Sequence, residues 1–133
     1  MAVKPSQRWR EGVAEEAEEL AAGTLDPECA HRSMLFPEPM IQATDAVLAT
    51  FETEVTQLSD PTDGQVFACV KRVVLALNAA NERFGGAAYE TDEREALCAY
   101  IDQTLTEHGI DIPALAERRG INPHEITDAW RRW

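Results

Sequence analysis

The sequence predicts an all-α protein, a single compact bundle of about five or six helices around a central apolar helix over residues 62–84. Three observations predict this. Apolar residues recur at three- and four-residue spacing in each long segment, no run alternates with the two-residue period of a strand, and glycine or proline punctuation falls between the periodic segments. With 133 residues, 44% of them hydrophobic, residues 1–133 are expected to form one helical domain whose core needs neither disulfide nor structural metal.

Pro5 to Ala22 places Trp9, Val13, Ala17, Leu20 and Ala21 on one side and Glu11, Glu15, Glu16, Glu18 and Glu19 around the rest, before Gly23. This strong helix former has a thin apolar stripe, so residues 1–24 are expected to be a peripheral N-terminal helix docked mainly through Trp9. Asp26-Pro27 reads as an N-cap followed by proline at the first helical position, opening a short turn through Arg32. Pro37 and Pro39 restart the chain. From Pro39 to Leu58, the residues Ile41, Thr44, Leu48, Phe51, Val55 and Leu58 make one row. Ser59-Asp60-Pro61 then supplies a stop and a new start, which predicts a tight antiparallel pair with the next helix.

That next helix, Thr62 to Phe84, is the central one. Val66, Val70, Val73, Leu77, Ala80 and Phe84 form its stripe, Phe67, Cys69, Val74 and Ala76 widen it, and Leu75 falls among the outer polar residues, predicting partial cover there too. Gly85-Gly86 closes it. Thr91 is expected to cap the following helix, with Asp92 and Glu93 in the first turn, Leu97, Cys98, Tyr100, Ile101 and Leu105 buried, and His108-Gly109 at its end. A short helix from Asp111 or Ile112 runs to Arg119. Asn122-Pro123-His124-Glu125 carries the signals of a last helix bearing Ile126, Ala129, Trp130 and Trp133.

Charge is the strongest compositional feature, with a formal net charge of -12. No Lys or Arg occurs from Ser33 to Val70, where Glu38, Asp45, Glu52, Glu54, Asp60 and Asp63 fall, and Glu90 to Glu107 repeats the bias against Arg94 alone. Such a field repels nucleic acid and anionic membranes and steers basic partners inward. Cys29, Cys69 and Cys98 cannot all pair, and two of them sit on apolar helix faces. No stretch approaches the roughly 20 apolar residues of a membrane span, and the N-terminus lacks an apolar signal core, so the expected setting is cytoplasmic, with the thiols reduced and buried.

Candidate chemistry is sparse. Asn81 lies inside the apolar arc of the central helix, Asn78 lies one turn earlier, and Glu90 precedes Arg94 by one turn. The structural alternative has Asn81 bonding the backbone after Gly86 while Glu90 and Arg94 pin the turn. The functional alternative is a ligand pocket of Asn78, Asn81, Glu90 and Arg94, with His108 on the inward arc of the same helix. Glu28-x-x-His31 has the spacing of one half of a carboxylate-bridged dimetal site, but no second copy exists, and Cys29-x-His31 lacks the paired cysteines of a zinc site. No metal or cofactor is expected. Nucleophile-elbow, P-loop and dinucleotide motifs are absent, so no catalytic residue is assigned and the balance leans away from an enzyme. Leu115, Ala116, Gly120, Ile121 and Ile126 match helix-turn-helix spacing within residues 113–133, with Arg118, Arg119, Arg131 and Arg132 available for phosphates. Arg119 stands where that motif wants an apolar residue, Asp128 and Trp130 stand where base-reading side chains belong, and the whole chain is acidic. Two short helices capping the bundle, with Trp130 as a packing anchor, are the better expectation.

Asn78-x-x-Asn81-Glu82-x-Phe84, Glu90-Thr91-x-x-Arg94-Glu95, Gly109-Ile110 and an Arg-Trp terminus resemble a family of small, uncharacterised all-helical bacterial proteins over about half of the chain. The family's terminus is nearer Arg-Asp-Trp, whereas here it is Arg131-Arg132-Trp133. The resemblance implies a helical bundle in the bacterial cytoplasm and no particular reaction. The leading functional expectation is a non-enzymatic, acidic protein-binding module of immunity or inhibitor type, meeting a basic partner through Glu52, Glu54, Asp60 and Asp63. A small-molecule or enzyme pocket near Asn81, Glu90 and Arg94 is the alternative, and helix-turn-helix DNA binding comes third.

Overall fold

Proline and carboxylate or hydroxyl caps set several of the helix starts in the computed structural model, which describes residues 2–30 and 32–133. Helix α1 (Pro5–Ala22) begins on a proline and ends at Gly23, whose φ of 73° admits the left-handed turn that a side chain would oppose. The Asp26 carboxylate accepts the Glu28 N–H at 3.0 Å and opens a 3-10 turn, Pro27–Cys29. A single-turn helix, α2 (Arg32–Leu35), leads into α3 (Glu38–Thr56). The central helix α4 (Asp63–Arg83) starts with a reciprocal capping box, the Gln65 N–H donating to the Thr62 hydroxyl at 3.2 Å and the Thr62 N–H to the Gln65 carbonyl at 2.9 Å. Helices α5 (Thr91–Glu107) and α6 (Ile112–Arg119) follow, and the described residues contain no strand.

The all-α bundle is thus as predicted, with α3 and α4 making the most extensive helix pair. Val70, Val74 and Leu77 of α4 are fully buried in one core with Leu48, Phe51 and Val55 of α3 and Leu97, Ile101 and Leu105 of α5. Truncating one of these leucines to alanine removes about 2–5 kcal/mol, because both transfer energy and packing are lost. Trp9 docks α1, stacked on Phe36 with centroids 5.4 Å apart, while Ala17, Glu18 and Leu20 beyond it are exposed. Tyr89, in the α4–α5 connection, is 4% exposed and joins three parts of the chain. It touches Trp9, meets the edge of Trp133 at 5.7 Å, and donates its hydroxyl to Thr44, whose own hydroxyl donates to the Met40 carbonyl at 2.9 Å. No helix is long and apolar enough to cross a membrane among the described residues.

Four expectations need correction. The last helix does not form. The Glu125 carboxylate accepts the Asn122 N–H at 3.1 Å, the acid's half of a capping box, but this opens only the 3-10 turn Pro123–Glu125, followed by turns to Trp130 and an extended end. Asn78 supplies the reason, since it bonds the Trp130 carbonyl at 2.8 Å and the Arg132 N–H at 3.0 Å, satisfying the backbone without a helix. Ile126 and Trp133 enter the core and Trp130 only partly does, and there is no recognition helix for a helix-turn-helix. At α5 the cap position belongs to Glu90, Thr91 is the first helical residue, and neither side chain makes the capping bond. Leu75 is 45% exposed, so that point on the outer face of α4 is open. Of the cysteines Cys69 is buried, Cys98 half-buried and Cys29 exposed, and all three are free.

Candidate functional site

Asn78 and Asn81 both use their amides inside the fold. The Asn81 carbonyl oxygen accepts the Ala88 and Tyr89 N–H groups at 2.8 and 3.3 Å, and its amide donates to the Gly86 carbonyl at 3.2 Å. Asn81 therefore holds the loop that carries Tyr89, and Asn78 holds the C-terminal segment. Glu90 and Arg94 share only the helical backbone bond at 2.8 Å, with no ion pair between their side chains among the described residues. His108 stands at the opposite end of α5, about 20 Å from Arg94 at the helical rise of 1.5 Å per residue. Its Nε2 lies 3.3 Å from the Leu58 carbonyl, and with Glu52, Thr56, Thr104 and Glu107 it lines a separate cavity of ≈ 300 Å³. The structure does not bring the five proposed ligand residues together. His31 lies outside the described residues, and these contain no group of His, Cys, Asp and Glu able to hold a metal.

Three of the four acids proposed for partner binding have partners within the chain. Glu52 accepts a hydrogen bond from the Tyr100 hydroxyl, which burial and this carboxylate hold well above the ordinary tyrosine range, and it lies 3.6 Å from Lys4. Glu54 pairs with Arg72 at 2.8 Å. Asp63 takes both arms of Arg118 at 2.7 and 2.8 Å, and that guanidinium lowers its carboxyl below the ordinary aspartate value. Asp60 is exposed and occupies a left-handed turn position with φ of 47°, where aspartate is among the better-tolerated side chains. Glu52 and Glu54 also face different neighbours, α5 and α4, and do not share one surface.

A second group of acids, most of them without a cation, gathers around a groove of ≈ 690 Å³ between α1, α2 and the start of α5. Glu11 and Glu15 line it from α1, Asp92, Glu93 and Glu95 from α5, and Trp9, Gly12, Phe36 and Ala96 supply apolar or uncharged lining. Asp92, Glu93 and Glu95 have no ion pair among the described residues, and Glu11 accepts the Gln7 side-chain amide at 3.3 Å. Burial raises the Glu93 carboxyl above its ordinary value, and the neighbouring charges of Glu90 and Asp92 push the same way.

The cations of the groove are Arg8 and Arg32. Arg32 lies against Gly12, donating to its carbonyl at 3.2 Å and standing 3.6 Å from the Glu15 carboxylate. Below it the buried Glu16 carboxylate accepts the Arg32 backbone N–H at 2.9 and 3.2 Å, tying the start of α2 to α1. The sequence signal for this site was present in the Glu90–Glu107 acidic bias and in the glutamates of α1. What it lacked was their apposition.

Fold and surface together define an acidic helical bundle with one strongly carboxylate-lined groove. Comparison with family models, with curated proteins and with solved structures gives no match for the chain.

Proposed function

We propose that the protein is a non-enzymatic binding module that takes a basic protein partner, in the manner of an immunity protein or inhibitor. The observation that carries this reading is the groove between α1 and α5, where five carboxylates face two guanidinium groups around an aromatic pair. Uncompensated charge of one sign beside buried aromatic surface favours fast, oriented encounter with an oppositely charged partner. Glu52, Glu54 and Asp63 contribute to the long-range field even while paired, and Asp60 adds to it directly.

The test is association kinetics of the immobilised protein with a basic protein retained from source-cell lysate, across a range of salt. Replacing Asp92, Glu93 and Glu95 together by Asn, Gln and Gln should slow association and flatten its salt dependence. Unchanged kinetics in that variant would contradict the reading.

A small-molecule site is a second reading, favoured by the cavity that places His108 beside Glu52 and Glu107. It predicts a thermal shift with a metabolite that disappears in His108→Ala; a metabolite panel producing no shift disposes of it.

A further inference from the structure

Resting on the basic-partner reading, we infer that the α1–α5 groove is an arginine-receiving site, filled by a guanidinium from an apolar-flanked segment of the partner, and that Arg32 holds its mouth in the free protein. Arg32 shows that the groove accepts this group. Its guanidinium reaches the Gly12 carbonyl at 3.2 Å and stands 3.6 Å from Glu15. The Arg32 side chain lies directly over Gly12, close enough that a Cβ there would touch its Cδ and Nη1 at 3.4 Å. Yet Arg32 answers only the α1 wall. Asp92 and Glu95, on the α5 wall, have no cation among the described residues.

A guanidinium suits this arrangement better than an ammonium. Its planar fork presents five donors and can serve carboxylates on two sides at once, whereas lysine offers a compact, strongly hydrated point charge. The aliphatic stem of an arginine, and apolar residues beside it, also match the stacked Trp9–Phe36 pair.

Helix α1 points to the same occupant by a separate route. Glu11, Glu15 and Glu19 repeat at the like-charge i,i+4 spacing, and no basic residue occupies the last turn, where Glu19 opposes the helix dipole. Arg32 relieves this repulsion at Glu15 alone, and a cation bound beside Glu11 adds to that relief, which couples occupancy of the groove to order in α1.

The experiment uses a fluorescein-labelled peptide with a Leu-Arg-Leu centre flanked by alanine and arginine, together with its lysine and citrulline counterparts, titrated by anisotropy at low ionic strength. Arginine should bind several-fold more tightly than lysine, and the neutral citrulline peptide should not bind. Asp92→Asn with Glu95→Gln should weaken arginine binding by about tenfold. Arg32→Ala should strengthen it several-fold by removing the internal competitor, and Glu117→Gln, on the exposed face of α6 and outside the groove lining, should leave it unchanged. Circular dichroism confirms that each variant is folded. Equal binding of arginine and lysine overturns the arginine assignment, and weaker binding in Arg32→Ala overturns the role of Arg32. Arginine binding untouched by the Asp92 and Glu95 changes removes the groove but leaves the basic-partner reading standing. No binding of either basic peptide removes both.

Discussion

On the α3–α4 side of the bundle Glu54 meets Arg72 and Asp63 meets Arg118, while across the α1–α5 groove Asp92, Glu93 and Glu95 meet no cation among the described residues. The residue types are the same. The difference lies in where the cations arrive. The Lys/Arg-free stretch from Ser33 to Val70 is answered from outside itself, by Lys4 at Glu52, Arg10 at Glu38 and Asp45, Arg72 at Glu54 and Arg118 at Asp63. A local absence of base in sequence is therefore not an absence of base in space. The acids available to a partner are those that folding leaves uncompensated.

The comparison breaks most visibly where polar groups serve the fold alone. Asn81→Ala leaves the Ala88 and Tyr89 N–H groups without their acceptor, and should cost about 2–3 kcal/mol in urea unfolding. Unchanged stability would contradict the structural role assigned to Asn81. On the groove side, Gly12→Ala should stabilise the protein by up to about 1 kcal/mol through helix propensity, provided that Arg32 yields slightly to the new methyl. A loss in thermal unfolding would show that Arg32 cannot yield.

Smaller effects sharpen the contrast. Asp63→Asn should lower the melting temperature only slightly, because the Arg118 pair is exposed. Its pH signature is more informative. Arg118 lowers the Asp63 carboxyl in the folded state, so this contribution is present above the ordinary aspartate range and is lost as pH falls through and below it. Glu93 has the opposite sign. Its raised carboxyl favours the protonated form in the fold, so its contribution is present below the ordinary glutamate range and fades as pH rises just above it. Stability profiles of Asp63→Asn and Glu93→Gln should each lose one of these two components, and a single profile shared by both variants would remove the contrast.

Much of the fold was legible because its signals are local: Pro5, Gly23, Thr62 and Gly120 mark helix ends close to where the structure has them. Asn81 was legible as a structural residue because an amide inside an apolar arc must find backbone to bond. The C-terminal path was not, since Asn78 holds it through bonds spanning 52 and 54 residues, which outweigh a local capping signal. Tyr89 was missed because a residue in a short connection has no periodicity to mark it as core. The groove escaped for a related reason: its walls come from the two ends of the sequence pattern, and each looks like an ordinary solvated helix face until they are placed together.

The most direct test of the central claim is a ¹H–¹⁵N correlation map of the labelled protein with and without its basic partner. The account predicts that the largest shifts fall on Gly12, Glu15, Arg32 and Asp92 to Ala96. Shifts centred instead on Glu54, Asp63 and Arg118, with the groove unperturbed, would contradict it.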